Sequence, residues 1–426
     1  MSNRVRRTFA FVAWLLPPIG VLSTQAVAVL GLLGALRLFA IREVRRGLRG
    51  EIASPLGLAL CLGMLWATVA CLWAPHPGNS LYLAARLAVI FVGGLAFLVG
   101  ARGMDGEDSI RLQRTFCALA IAYLAFLTIE VAENGVVTRA VRAIPLSEPF
   151  NFAYLDRPAV VLALFAWPFA HAFYRRFGAV AAVLFLLLVG VCLTQTISGA
   201  SRLALVLGAA TFALVRWRPV PVLKALAVAV PLACLAMPPA LVAAGTVTSH
   251  ALEKTAAALP KRLGSVSHRL LIWDFAVEKI AERPWLGWGF DASRALPGGK
   301  QHVLQGRGER MPLHPHNGLL QIWLELGAVG GVIAAGVAYA ALRRLLALAA
   351  APVAAAFAAA LTVSFLTIAM ISFGIWQNWW LATIWLAAGF AAVPIREEIS
   401  AAGTPPPGTP QSLPTGPAPQ PPPSPR

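Results

Sequence analysis

Leu313-His314-Pro315-His316-Asn317-Gly318-Leu319-Leu320-Gln321-Ile322-Trp323-Leu324-Glu325-Leu326-Gly327-Ala328-Val329-Gly330-Gly331 carries a polar loop directly into an apolar helix. Pro315 blocks helix before it, and either Asn317 or His316 can take the N-cap. The imidazole of His316 then sits beside a first turn whose backbone N–H groups lack partners. The apolar run that follows is long enough to enter a bilayer, which puts His316 at a membrane surface.

The surrounding chain agrees. Of 426 residues, 58% are hydrophobic and only 12% charged, with mean hydropathy +0.72, whereas a soluble domain carries about a quarter charged residues. Apolar runs of spanning length recur at 8–22, 24–40, 55–74, 81–101, 112–132, 158–174, 178–196, 201–216, 222–243, 318–341, 351–371 and 376–394. The expected fold is therefore an all-α polytopic integral membrane protein with about twelve transmembrane helices. Arg4, Arg6 and Arg7 before an apolar run and Ala26-Val27-Ala28 imitate a cleavable signal, but the run continues past that point, as in an uncleaved anchor. Cys61, Cys71, Cys117, Cys192 and Cys234 all lie in apolar runs without paired spacing and read as packing residues.

The net charge of +17 is spread over short connections, which argues against nucleic acid. Arg4, Arg6, Arg7, Arg37, Arg42, Arg45, Arg46, Arg49, Arg102, Arg111, Arg114, Arg175, Arg176, Arg216, Arg218, Lys224, Arg343, Arg344, Arg396 and Arg426 fall on one side, as insertion asymmetry and anionic lipid predict. That side reads as cytoplasmic, with both termini on it. Residues 133–157 and 244–317 then face outward, and the layout divides into spans one to nine over 1–243, an outer loop domain over 244–317, spans ten to twelve over 318–395, and a tail over 396–426.

A structureless connection as long as 244–317 is unusual. Leu270, Ile272, Trp273, Ala276, Val277 and Ile280 recur at helical spacing from Ser267 to Glu282, Pro284 closes that helix, and Leu286-Gly287-Trp288-Gly289-Phe290 reads as a tight turn. A second short helix is expected over 250–259. After Gly403 the tail holds eleven prolines with almost nothing to bury and should be disordered.

Several side chains fit chemistry on an anionic substrate. Arg202, in Ser198-Gly199-Ala200-Ser201-Arg202, stands at the outer start of a span, as a guanidinium fork for phosphate or as a helix-end arginine reaching to headgroups. Arg269 and Trp273 share one face of the loop helix, suited to a charged headgroup and a sugar ring, or to a solvated helix. Arg86, Arg139, Arg142 and Arg157 also lie near the outer surface, and the long loop has ten Lys/Arg against six Asp/Glu, which makes a basic outer face.

His316 admits three readings: catalytic base, metal ligand with His314 and His302, or capping residue. His-x-His is not a helical ligand spacing and no cysteine accompanies it, so no metal site is expected. The positive end of the helix disfavours imidazolium and suits a neutral base. Glu325, deep in the same apolar run, calls for a partner, for which an outer arginine is the natural choice. Trp273, Trp285, Trp288, Trp376, Trp379 and Trp380 read mainly as interface anchors.

These motifs resemble the O-antigen ligase family and the related O-antigen polymerases. The family pattern of His-Asn, nine residues, Gly, two residues and Gly is met by His316, Asn317, Gly327 and Gly330. Ser-Gly-x-Ser-Arg is met at Ser198 to Arg202, and Arg-x-x-x-Trp followed by Pro and Gly-x-Gly at Arg269, Trp273, Pro284, Gly287 and Gly289. The resemblance covers roughly residues 60–395. It implies a GT-C-like glycosyltransferase of the bacterial inner membrane that needs neither nucleotide sugar nor cofactor and takes its glycan from undecaprenyl diphosphate. Ligase members pass the glycan to lipid A-core in the periplasmic leaflet with inversion, in lipopolysaccharide biosynthesis. On this reading His316 is the base and Arg202 and Arg269 hold the diphosphate, with Arg86, Arg142, Trp273, His314, Asn317 and Glu325 in support. One dominant outer loop favours a ligase over a polymerase. A ligase acting on protein, or a transporter of lipid-linked glycans, which would not need His316, are the alternatives.

Overall fold

The computed structural model describes residues 1–243, 264–303 and 308–401. The expected helix over 250–259 and the proline-rich run lie outside the described residues. Fifteen α-helices are described: α1 (Ser2–Leu22), α2 (Val27–Phe39), α3 (Arg42–Ile52), α4 (Pro55–Ala70), α5 (Pro77–Arg102), α6 (Gly106–Ala132), α7 (Val136–Arg142), α8 (Asp156–Phe177), α9 (Ala179–Thr194), α10 (Gly199–Trp217), α11 (Pro219–Ala243), α12 (Gly264–Glu282), α13 (Gly318–Leu346), α14 (Pro352–Ile371) and α15 (Asn378–Ala401). The strands among the described residues are one antiparallel pair, His302–Val303 with Gly308–Glu309. The chain is an all-α polytopic membrane protein.

Each of the twelve expected segments falls on a helix, but the count of full crossings is smaller. Among the described residues ten helical stretches are long and apolar enough to span, or eleven if a bent pair counts as one. That pair is α2 with its preceding turn and α3, which meet at 109°. α9, at 16 residues, is about 24 Å long at 1.5 Å per residue and falls short of ~30 Å of hydrocarbon.

α8 is the axis of the bundle, with every residue from Pro158 to Ala172 buried. Around it Phe9, Phe97, Phe116, Phe165, Phe169 and Phe390 form an aromatic core, in which Phe116 and Phe390 stack at 4.3 Å and Phe165 meets Phe390 edge-on at 5.3 Å. Leu32, Leu33, Leu58, Leu62, Leu187 and Leu188 are exposed on the perimeter, as helices surrounded by lipid require.

The two ends of the bundle differ in charge. At one, Arg6 pairs with Asp108 at 2.7 Å, Glu51 lies between Arg102 and Arg344, and Glu397 receives Arg175, Arg176 and Gln113. His171 approaches Glu398 at 3.1 Å at the same end. These contacts carry the last helix on to Ala401, past the expected start of the tail at residue 396, because Glu397 and Glu398 are held by the bundle.

α13 is interrupted at Gly327, whose φ of 66° and ψ of −164° are open essentially to glycine alone. The break frees peptide groups, and the turn after Pro284 takes them up. Trp288 and Gly289 donate N–H bonds to the carbonyls of Leu324 and Glu325, at 2.9 and 3.0 Å, and Ala328 N–H bonds the Pro284 carbonyl at 2.8 Å. A Cβ on Gly327 would stand 2.2 Å from the Trp285 carbonyl oxygen, and one on Gly287 would stand 2.5 Å from the Glu325 carbonyl. Gly327→Ala is therefore expected to destabilise by at least the roughly 1–3 kcal/mol of backbone strain, seen as a lower thermal midpoint of purified protein in detergent. An unchanged midpoint would mean that α13 straightens without loss.

Candidate active site

Asn317 caps α13, its side-chain oxygen accepting from the N–H groups of Leu319 and Leu320 at 3.1 and 3.0 Å. Capping is thus accounted for without His316, which sits one residue outside the helix at a left-handed φ of 53°. A non-glycine residue in this region is uncommon and its surroundings must hold it there. Three elements do so. The Trp273 indole of α12 donates to the Pro315 carbonyl at 2.8 Å, the His316 N–H bonds Nδ1 of His314 at 3.2 Å, and the His316 ring bonds the Ser372 carbonyl at the end of α14.

The last bond fixes the tautomer. A carbonyl only accepts, so Nδ1 of His316 carries the proton and donates, leaving the lone pair on Nε2. Burial pulls the His316 pKa below its ordinary 6.5, the Ser372 carbonyl works against that, and the positive charge of Arg269 and His268 adds to the lowering. The ring is neutral near neutral pH, with a basic nitrogen and a fixed orientation.

His314 is a support. It is buried, its ring centroid lies 4.3 Å from that of His316, and Nε2 faces the Gly374 N–H and the Gln377 amide, both at 3.2 Å. Burial, followed by the charges of His316, Arg294 and Arg269, lowers its pKa to about 3. Among the described residues no three His, Cys, Asp or Glu side chains group in the manner of a metal site, and His302 lies exposed on its strand.

Glu325 is fully buried and has no arginine partner among the described residues, where an ion pair was expected. It accepts from the Asp291 N–H at 2.8 Å, the Ser293 hydroxyl, the Gln321 amide at 3.0 Å and the Trp376 indole at 2.8 Å. Four neutral donors satisfy the carboxyl at the point where the glycine turn, α13 and the connection before α15 meet. Gly330 lets this turn of α13 close, since a Cβ there would stand 2.3 Å from that of Leu326.

The arginines distribute unequally. Arg269 is half-buried, and its charge acts on both His316 and Asp156. Arg202 is exposed in the first turn of α10, leaning on the Thr196 carbonyl at 3.4 Å, above a buried Ser198–Ser201 hydroxyl contact of 2.8 Å. α10 and α14 run antiparallel: Ser364 bonds the Ala204 carbonyl at 2.8 Å, while Phe357 meets Phe212 at 4.7 Å. Arg202 therefore lies at the same end as Ser372 and His316. Arg86 faces the amide of Asn378, next to Gln377, and stacks on Tyr82 at 5.1 Å. Arg142 is turned toward the Leu22 carbonyl at 3.3 Å and the Tyr154 ring at 4.8 Å. Arg139 is buried and ties the carbonyls of Asn134, Pro145 and Glu148 together, which makes it a loop fastener. Trp273, expected to face a sugar ring, turns its N–H to the histidine loop.

Sequence reasoning missed Ser372, Gly374, Gln377 and Gln321. Ser372 acts through its carbonyl, which leaves no side-chain signal. Gln321 was findable, since it lies four residues before Glu325 on one helical face; its Oε1 accepts from the Ile375 N–H at 2.9 Å.

Residues 159–335 match the family described as O-antigen ligase, a segment that contains Arg202, Arg269, His316 and Gly327. A protein of Rickettsia conorii is 28% identical over 325 residues, 75% of each chain. One of Rickettsia prowazekii is 29% identical over 325 residues, 75% of this chain and 76% of its own. One of Rickettsia felis is 28% identical over 350 residues, 81% and 82%. All three are provisionally named polysaccharide ligases.

The buried imidazole of His314 links stability to pH. As pH falls below 6.5 the unfolded chain binds a proton on this ring, whereas the folded chain does so only near pH 3. Stability from this group is present above 6.5 and is lost as pH drops toward 3. His314→Asn is expected to flatten the acid side of the curve, measured as thermal midpoints between about pH 7 and pH 4; an unaltered slope would mean that His314 is protonated in the folded chain.

Proposed function

We propose that the chain, whose residues 159–335 match the O-antigen ligase family, is a polysaccharide ligase that transfers a glycan from undecaprenyl diphosphate to a sugar hydroxyl of lipid A-core. The reaction takes place at the periplasmic face of the bacterial inner membrane, with both termini cytoplasmic. The observation that carries this reading is the His316 ring, held by the Ser372 carbonyl at Nδ1 and bearing its lone pair on Nε2.

In the proposed step, Nε2 of His316 takes the proton of the acceptor hydroxyl as its oxygen bonds to the anomeric carbon. The bond from that carbon to the diphosphate oxygen breaks, and the diphosphate leaves with the electron pair. Attack opposite the leaving group inverts the anomeric centre. Arg202 and Arg269 stabilise the charge that grows on the diphosphate, with Arg86 and Arg142 adding positive potential at the same end. The positive end of α13 and the burial of the ring keep His316 neutral until it acts. These groups supply the base and the charge stabilisation, so the proposed reaction is metal-independent.

Purified protein reconstituted with an undecaprenyl-diphosphate glycan and lipid A-core is expected to form lipopolysaccharide. Longer lipid-linked chains would instead indicate a polymerase, glycan on a pilin or other protein a protein ligase, and movement of the donor without transfer a transporter. His316→Ala should keep its thermal midpoint and lose transfer, and full activity in that variant would remove the catalytic role. Arg202→Lys should lose at least about tenfold in rate, or ~1.4 kcal/mol of transition-state stabilisation, because a point charge cannot replace the fork. The acid limb of the rate profile should fall below the ordinary histidine value of 6.5, and transfer should withstand chelator.

A further inference from the structure

α3 takes no part in the site, which lies at the other end of the bundle, yet it is built as a binding surface. It turns 109° from the helix before it and so runs across the bundle end. Gly47 lets it sit close to α5, since a Cβ there would stand 2.6 Å from a Val99 methyl. Val44, Leu48 and Glu51 are buried, and Glu51 is held between Arg102, at 2.7 Å, and Arg344. Arg344 also bonds the hydroxyl of Ser54, which caps α4, at 2.7 Å.

Positions 44, 48 and 51 fall on one helix face, and positions 42, 45, 46 and 49 on the opposite one. Arg42, Arg45, Arg46 and Arg49 are all exposed, with Glu43 as the one exposed acid of this helix. Among the described residues none of the four forms an ion pair. The location decides what they face. Leu36 on α2, 54% exposed, and Leu58 on α4, 57% exposed, border α3 on either side. Exposed apolar side chains of this kind suit contact with lipid, so the arginine row lies at the edge of an apolar wall.

We propose that α3 is a binding element for anionic phospholipid, its arginine row taking headgroup phosphates at the bundle end opposite His316. The fixed seat matters, because the four guanidinium groups are carried on a helix already pinned at Val44, Leu48 and Glu51. Long-range attraction and bidentate phosphate contact both favour this occupant.

The test uses the full-length protein in vesicles of mixed phosphatidylglycerol and phosphatidylcholine, with spin-labelled versions of each lipid reporting contact. The wild type is expected to select phosphatidylglycerol several-fold at low salt and to lose much of that preference at high salt. The quadruple change Arg42→Gln, Arg45→Gln, Arg46→Gln and Arg49→Gln should abolish the preference, and the corresponding four Lys substitutions should retain most of it. Equal contact with both lipids in the wild type, or a preference untouched by salt, would overturn the proposal without any variant having to fold. A Gln variant with wild-type selectivity would do the same.

Discussion

The break in α13 at Gly327 is the constraint on which the His316 half of the molecule depends. A continuous helix would keep the peptide groups of residues 324–328 for itself, and the loop after Pro284 would have nothing to bond. With the helix interrupted, the turn around Gly287 and Gly289 inserts and the two segments exchange backbone bonds. Each partner needs glycine for the same reason: at Gly287, Gly289 and Gly327 a Cβ would run into the backbone of a neighbouring segment. Phe290 then reaches α4 and α5, its N–H bonding the Ala70 carbonyl at 3.3 Å and its carbonyl receiving the Ser80 hydroxyl at 2.7 Å. Glu325 completes the bracket by collecting donors from Asp291, Ser293, Gln321 and Trp376. The loop is thereby made part of the bundle.

His316 rests on that bracket from two directions. Below it, α13 is fixed by the break and by Asn317. Beside it, the turn from Ser372 to Gln377 is fixed by Gln321, His314 and Trp376, and it presents the carbonyl that orients the ring. A left-handed φ at a histidine survives because the bonds on either side leave the chain no easier path. The same bonds choose the tautomer, so backbone geometry and proton placement have one cause. The pattern of His316-Asn317 followed at a set spacing by Gly327 and Gly330 thus joins the oriented imidazole to the helix break that supports it.

Much of this was legible in the sequence, and the parts that were not have physical reasons. Hydropathy placed every apolar segment on a helix, because lipid-facing and core-facing residues alike must be apolar. It could not tell a crossing helix from α9, which stops short, nor foresee that α2 would turn into a helix lying across the end, since length and angle are not written in hydrophobicity. The helix after Ser267 and the turn at Gly287 were visible from periodicity and glycine. The partner of Glu325 was misread: a buried carboxylate suggested an arginine, but four neutral donors from separate segments serve it, and no local pattern reveals such a convergence. Ser372 was invisible because its backbone, not its side chain, does the orienting.

The division of charge between the two ends follows from what each end has to face. At the end where α1 and α6 begin and α15 finishes, Asp108 pairs with Arg6, Glu51 with Arg102 and Arg344, Glu397 with Arg175 and Arg176, and Glu398 meets His171. At the His316 end, Arg86, Arg142, Arg157 and Arg202 contact an amide, carbonyls or aromatic rings. Such partners orient a guanidinium without neutralising it, so its positive charge remains at this end of the bundle. A site shaped to bind a cation would invert that choice and set carboxylates there instead. Here the buried carboxyls of Glu325 and Glu130 are wrapped in donors and turned to structural use, and the positive charge of the arginines is left for the proposed anionic substrate.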